Sequence, residues 1–141
     1  MKPVYYFDKT LGYCPVKKYL EQYEVKNKDT LKIIIEKEKL AINIRSKVDF
    51  AVKNNGRPIP PICKALIGCN FFEIRARKDK NILIRVFYFR FDNLIVLLNA
   101  IEKSDHDNDA KDKRTMKKCL SVTEKYYKSF IINPKSYEEY I

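Results

Sequence analysis

The segment from Glu73 to Phe91, EIRARKDKNILIRVFYFRF, sets four arginines inside two apolar stretches. Arg75 and Arg77 precede a lysine-rich turn, and Arg85 and Arg90 follow it. An unpaired guanidinium is costly in a strand interior. Each arginine therefore calls for an anion, either a carboxylate of the chain or a phosphate of a ligand. A guanidinium suits both, because its planar fork stays charged and donates several hydrogen bonds. Glu73 and Glu102 are the internal anions at hand. Lys64, Lys78, Lys80 and Lys103 add point charges around the same segment. Glu73 can also act as a general base, although pairing with Arg75 or Arg77 is the simpler role. His106 is the only histidine. Its ordinary pKa near ~6.5 suits proton transfer, but it lies in an acidic stretch and reads more simply as an exposed side chain.

The elements that must position these residues follow from pattern. KPVYYF, Lys2 to Phe7, is aromatic and β-branched, as in a first strand. Pro15 fits the first position of a helix, where its missing N–H costs nothing. Val16, Tyr19, Leu20 and Tyr23 then form an apolar stripe. Asp29 or Thr30 caps a second helix, with Leu31, Ile34, Ile35, Ala41, Ile42, Val48 and Val52 at helical spacing. Gly56 and Pro58 end it. A connector follows, with a short helical turn expected at Cys63 to Leu66. Three strands come next: about 71–77, 82–91 and 94–102. Phe72, Ile74 and Ala76 alternate with Glu73, Arg75 and Arg77. A polar break from Ser104 to Arg114 holds the start of a last helix. That helix carries Met116, Cys119, Leu120, Thr123, Tyr126, Tyr127 and Phe130 on one face, the two tyrosines reading as core. The order β-α-α-β-β-β-α predicts an α+β fold, a mainly antiparallel sheet with an N-terminal helical hairpin and a C-terminal helix.

The 141 residues suit one domain, set at 1–130 with 131–141 as a tail that is partly disordered. A hydrophobic fraction of 45% supplies a core. Lys and Arg number 29 against 18 Asp and Glu, a formal net charge of +11. That balance favours anionic partners such as nucleic acid, a ribosome, an acidic protein or a membrane surface, though a solvated lysine-rich surface produces it equally well. The start MKPVYYFDKT lacks the apolar core of a signal peptide. No apolar run reaches the ~18 residues of a membrane span, so neither a membrane partner nor a membrane location is expected; the cytoplasm is. Cys14, Cys63, Cys69 and Cys119 show no CxxC pair, and with one histidine neither a metal nor a cofactor is expected.

The ordered series Gly56, Pro58, Lys64, Leu66, then Phe72-Glu73-Ile74-Arg75, then Arg85-Val86-Phe87-Tyr88-Phe89, then Ile95 to Lys103, resembles the RelE/HigB toxins of bacterial type II toxin–antitoxin modules. It is nearest to their phage-derived HigB-like branch. The resemblance spans about residues 3 to 130. Asn99, Ala100 and Ser104 stand where that branch usually has His, Gly and Lys. The resemblance implies an endoribonuclease that needs no metal, cleaves mRNA on the ribosome and stops translation. It also implies an antitoxin partner, often a helix-turn-helix DNA-binding protein. In such a reaction the substrate's own 2′-hydroxyl attacks the neighbouring phosphate, and the protein aligns it and stabilises charge on the phosphoryl oxygens. By position Arg85 matches the phosphate-stabilising arginine, with Lys103 and Arg75 beside it in the catalytic group. Arg77, Lys78, Lys80, Lys64 and Arg90 would bind RNA, and Glu73 or His106 would move protons. Two other readings keep the basic surface without RNA cleavage: a gyrase-directed or binding-only toxin, and a basic RNA-binding module.

Whether Arg85 and Lys103 share a face depends on register. A two-residue turn at Asp92-Asn93 sets Arg85 opposite Ala100. A three-residue loop from Phe91 to Asn93 sets it opposite Asn99, on the face of Lys103. One residue of slip reverses every side chain. The expected arrangement leaves that face open and concave, with Phe71, Phe87 or Tyr88 free to stack on bases.

Overall fold

The computed structural model describes residues 1–104 and 110–140. It is an α+β fold in three layers. Six strands form one open sheet in the order β2-β3-β4-β5-β1-β6. They are β1 (Lys2–Tyr6), β2 (Cys63–Ala65), β3 (Phe72–Arg77), β4 (Ile82–Phe91), β5 (Leu94–Ser104) and β6 (Tyr137–Glu139). Only β1 against β5 is parallel; the other pairings are antiparallel. Helices α1 (Pro15–Leu20) and α2 (Leu31–Lys53) cover one face, and α3 (Ala110–Ile132) covers the other.

Two elements differ from expectation. Cys63 to Leu66 is not a helical turn: Cys63–Ala65 is an edge strand paired with β3. The tail does not lie outside the domain, because Tyr137–Glu139 pairs with β1 and the Tyr140 ring packs tilted against Tyr5 at 5.2 Å between ring centroids. Both strands are short and sit at the two edges, where backbone pairing rather than an apolar pattern recruits them.

Thr30 caps α2 by accepting a hydrogen bond from Ile33 N at 3.3 Å. The stripe buried on the sheet is Leu40, Ile44, Val48 and Ala51. Leu31, Ile35 and Ile42, expected on that stripe, are exposed. A helix with this many apolar residues offers overlapping stripes, and the sheet takes one. Gly56 closes the helix at φ 76°, donating to Ala51 O, and accepts from the Tyr88 hydroxyl at 3.2 Å.

Two cores result. Ile74, Ala76, Ile84, Val86, Tyr88, Ile95 and Leu97 face α1 and α2. Phe71, Phe87, Phe89, Val96 and Leu98 face α3 and Phe130. The face expected to be open is therefore packed. Phe71, Phe87 and Tyr88 are fully buried and closed to bases.

The register is set by a device absent from both expected turns. Asp92-Asn93 forms the tight two-residue turn, with Phe91 opposite Leu94 and Asp92 at φ 52°. Tyr88 still pairs with Leu97, but Phe87 pairs with Asn99, so Leu98 is an extra residue. This β-bulge turns Leu98 and Asn99 to the same side, Leu98 into the α3-side core and Asn99 onto Thr123 of α3. Arg85 is thereby set opposite Ile101, on the face of Lys103.

Candidate anion-binding site

The bulge and the β3–β4 register bring the candidate cations together. Arg75 and Arg85 are direct cross-strand partners. Partners in an antiparallel ladder lie roughly 4.5–5.5 Å apart at Cα and project to the same side. Glu73 precedes Arg75 by one strand period and shares the face. Its Oε1 accepts from Arg75 Nε at 2.7 Å and from Arg85 Nη1 at 3.5 Å. Glu73 is 1% exposed and Arg85 7%. Glu73 Oε2 is buried and takes no hydrogen bond among the described residues. One carboxylate oxygen is thus held between two guanidiniums, which is the coordination they would give a phosphate oxygen.

Lys103 lies on the same face, opposite Leu83, and is also buried. It donates to the carbonyl of Asp112, in the first turn of α3, at 2.6 Å. Beside it opens a cavity of about 300 Å³ lined by Lys103, Lys113, Met116, Lys117 and Leu120. Asn99, four residues before Lys103 and at the bulge, donates to Thr123 Oγ1 at 3.0 Å and to Cys119 Sγ at 3.6 Å. Burial pushes the Cys119 thiol up to about 11, with the Thr123 hydrogen bond and the Lys103 charge opposing. That side chain remains a thiol at neutral pH.

The other candidates divide. Lys64 pairs with Glu73 across β2 and β3 and so shares the arginine face, exposed at the sheet edge. Arg77 is also on that face, at the strand end; its Nη1 donates to the carbonyls of Asp79 at 3.4 Å and Lys80 at 3.1 Å, bracing the turn. Lys80 is exposed at the turn. Two residues belong to the opposite face. Arg90 pairs with Ile95 and lies exposed beside Gly56, past the end of α2, because it follows Phe89 in the alternation. Lys78 points to Glu102, at 3.0 Å, and lies over the Tyr23 ring at 5.6 Å. Neither extends the track of Arg75 and Arg85. His106 lies outside the described residues.

Sequence reasoning did not single out Lys113 and Lys117. They stand at i and i+4 on α3, beside the stripe of Met116 and Leu120. The spacing was visible, but only the position of α3 over Lys103 gives it meaning. It also missed the network on the far face, where Tyr23 donates to Glu102 at 2.7 Å and meets Tyr19 at 2.9 Å. Burial raises the Tyr23 hydroxyl well above the usual tyrosine range, and the Glu102 and Tyr19 hydrogen bonds add to the shift. This network ties α1 and the β3–β4 hairpin to β5.

Among the described residues no group of His, Cys, Asp and Glu could hold a metal ion, and all four cysteines are free. Among them, too, no helix is long and apolar enough to cross a membrane. Compared with models of known families, with characterised proteins and with solved structures, the chain matches none.

Proposed function

We propose that this protein is an RNA-binding toxin of the RelE/HigB type, an endoribonuclease that cleaves mRNA by 2′-hydroxyl attack and so blocks translation. The observation that carries the reading is the pairing of Arg75 with Arg85 around one oxygen of Glu73, on the face that also bears Lys103. Two guanidiniums there meet one carboxylate oxygen. A phosphate taking the place of that carboxylate oxygen would receive the same two guanidiniums. They would stabilise the charge that grows on the phosphoryl oxygens as the 2′-oxygen attacks. The bond from phosphorus to the 5′-oxygen breaks, and that oxygen takes a proton, for which Lys103 is a cationic donor on the same face. The 2′-hydroxyl loses its proton to a base, and Glu73 has a second oxygen with no hydrogen bond among the described residues. The RelE-like arrangement of strands and helices belongs to the same proposal, as does a small antitoxin that covers the basic face.

One observation favours a second reading. Glu73, Arg85 and Lys103 are all buried, and α3 lies against their face. A protein that binds RNA on Lys64, Arg75 and Arg77 without cleaving it, or a toxin directed at another target such as gyrase, needs no access to Arg85. The two readings separate on inducible expression in bacteria with mapping of mRNA 5′ ends. New ends together with growth arrest support the nuclease. Growth arrest with intact mRNA, or no arrest by soluble protein, refutes it.

A further inference from the structure

We infer that the cavity between the end of β5 and the first half of α3 is a nucleotide subsite for single-stranded RNA, with Lys113 and Lys117 as its phosphate contacts and Met116 and Leu120 as the platform for one base. The inference rests on the RNA reading above and assigns a place to the nucleotide next to the phosphate at Arg75 and Arg85.

Four observations converge on it. Among the described residues the lining is Lys103, Lys113, Met116, Lys117 and Leu120, three cations and two apolar chains. Lys113, Met116, Lys117 and Leu120 are spaced i, i+3, i+4 and i+7, so one face of α3 presents all four. Its lysines are exposed while Met116 and Leu120 are half-buried, the chemistry of a charged rim over an apolar floor. Neither Lys113 nor Lys117 has an ion-pair partner among the described residues. Like charges one helical turn apart weaken a helix on their own, and a bound phosphate removes that repulsion.

The size and location fit one nucleotide. The volume of about 300 Å³ stands at the lower end of ligand pockets. Lys103 belongs both to the cavity and to the face of Arg85, whose cross-strand neighbour Ile101 precedes Lys103 by one strand period. A strand of RNA with a phosphate at the arginines therefore has its adjacent residue within reach of α3. An apolar floor selects an unstacked base, because a duplex keeps its bases stacked inside. The floor lacks hydrogen-bonding side chains, so it accepts any base.

The test is fluorescence anisotropy with an unstructured 12-nucleotide RNA across a salt series, using the full chain. The variant is Lys113→Gln with Lys117→Gln. The control is Lys111→Gln with Lys118→Gln, which removes the same charge from the same helix outside the cavity lining. The expected result is binding about tenfold weaker for the first pair, with the salt slope reduced by about 1.4, two contacts at ~0.7 each. The control pair shifts Kd less than about threefold. Photocrosslinking of wild type to 4-thiouridine in the same RNA is expected to map to residues 113–120. Equal losses in both pairs, no loss in either, or crosslinks elsewhere overturn the subsite. RNA that binds through these lysines but is never cut leaves the subsite standing and refutes the nuclease. Cleavage that persists with unchanged binding in the lysine variant refutes the subsite alone.

Discussion

Glu73→Gln is the perturbation that most directly questions why this sheet tolerates its arginines. The change keeps the volume of the side chain and one carbonyl oxygen, so it removes charge without opening a cavity. In the native protein Glu73 Oε1 sits 2.7 Å from Arg75 Nε and 3.5 Å from Arg85 Nη1. Breaking a buried ion pair by neutralising one partner costs about 3–5 kcal/mol. Two features reduce that figure here. The Arg75 side chain is 27% exposed, so solvent screens its charge, and the Arg85 contact is long. A loss of about 2–3 kcal/mol is expected, or roughly 6–10 °C in Tm for a chain of this size. Urea denaturation with an unchanged m-value measures it. Arg75→Gln alone is expected to lose less, about 1 kcal/mol, because that group is partly solvated. The double variant Glu73→Gln with Arg85→Gln is expected to be less destabilised than the sum of its singles by about 1–2 kcal/mol. A Glu73→Gln protein within 0.5 kcal/mol of wild type refutes the claim that this carboxylate holds the arginines in the sheet.

Three further outcomes follow from the same structure. Burial pushes Tyr5, Tyr6 and Tyr19 up to about 12, and the Cys14 thiol up to about 12. The folded state therefore keeps protons that the unfolded chain releases near pH 9 to 10, so stability is full below about pH 9 and falls as pH rises toward 12; tyrosinate absorbance should rise in step with unfolding, and early ionisation of these tyrosines in folded protein would contradict it. Gly56→Ala meets Ile95 Cδ1 at 2.7 Å in a backbone of φ 76°, whereas Gly12→Ala, at φ 78°, meets nothing within 4 Å; the expected losses are about 2–4 and about 1 kcal/mol, read as urea midpoints, and equal losses would show that strain alone matters. Ending the chain at Phe130 removes β6 and the Tyr140 ring from Tyr5; a loss of roughly 3 kcal/mol is expected from the apolar surface uncovered, and an unchanged midpoint would return the tail to a dispensable role.

Much of the fold was legible because its long elements carry clear periods. The α3 stripe from Met116 to Phe130 packs as read, with Thr123 and Phe130 buried. The gathering of Arg75, Arg85 and Lys103 on one face was legible only as one of two registers. The deciding bulge is hidden in Leu97-Leu98, two like residues in a strand buried on both faces, where a slip changes no apolar pattern. The cover over the arginines was hinted at by β4, whose apolar residues point both ways and require a layer on each side. That Arg90 and Lys78 lie on the face opposite Arg75 and Arg85 was not legible, because charge alone does not say which face a strand residue takes. β2 and β6 were missed because three-residue edge strands have too few side chains to show a period. Lys113 and Lys117 became candidates only when tertiary packing set them beside Lys103.

The central claim is tested most directly by adding purified protein to end-labelled mRNA, free and on programmed ribosomes, and identifying the chemical ends produced. The account predicts cleavage that leaves a 5′-hydroxyl on one fragment and a 2′,3′-cyclic phosphate on the other. It predicts loss of that cleavage in Arg85→Lys, which keeps a charge beside Glu73 but lacks the fork. Full-length mRNA after incubation with stoichiometric, folded wild-type protein contradicts it, as do 5′-phosphate ends.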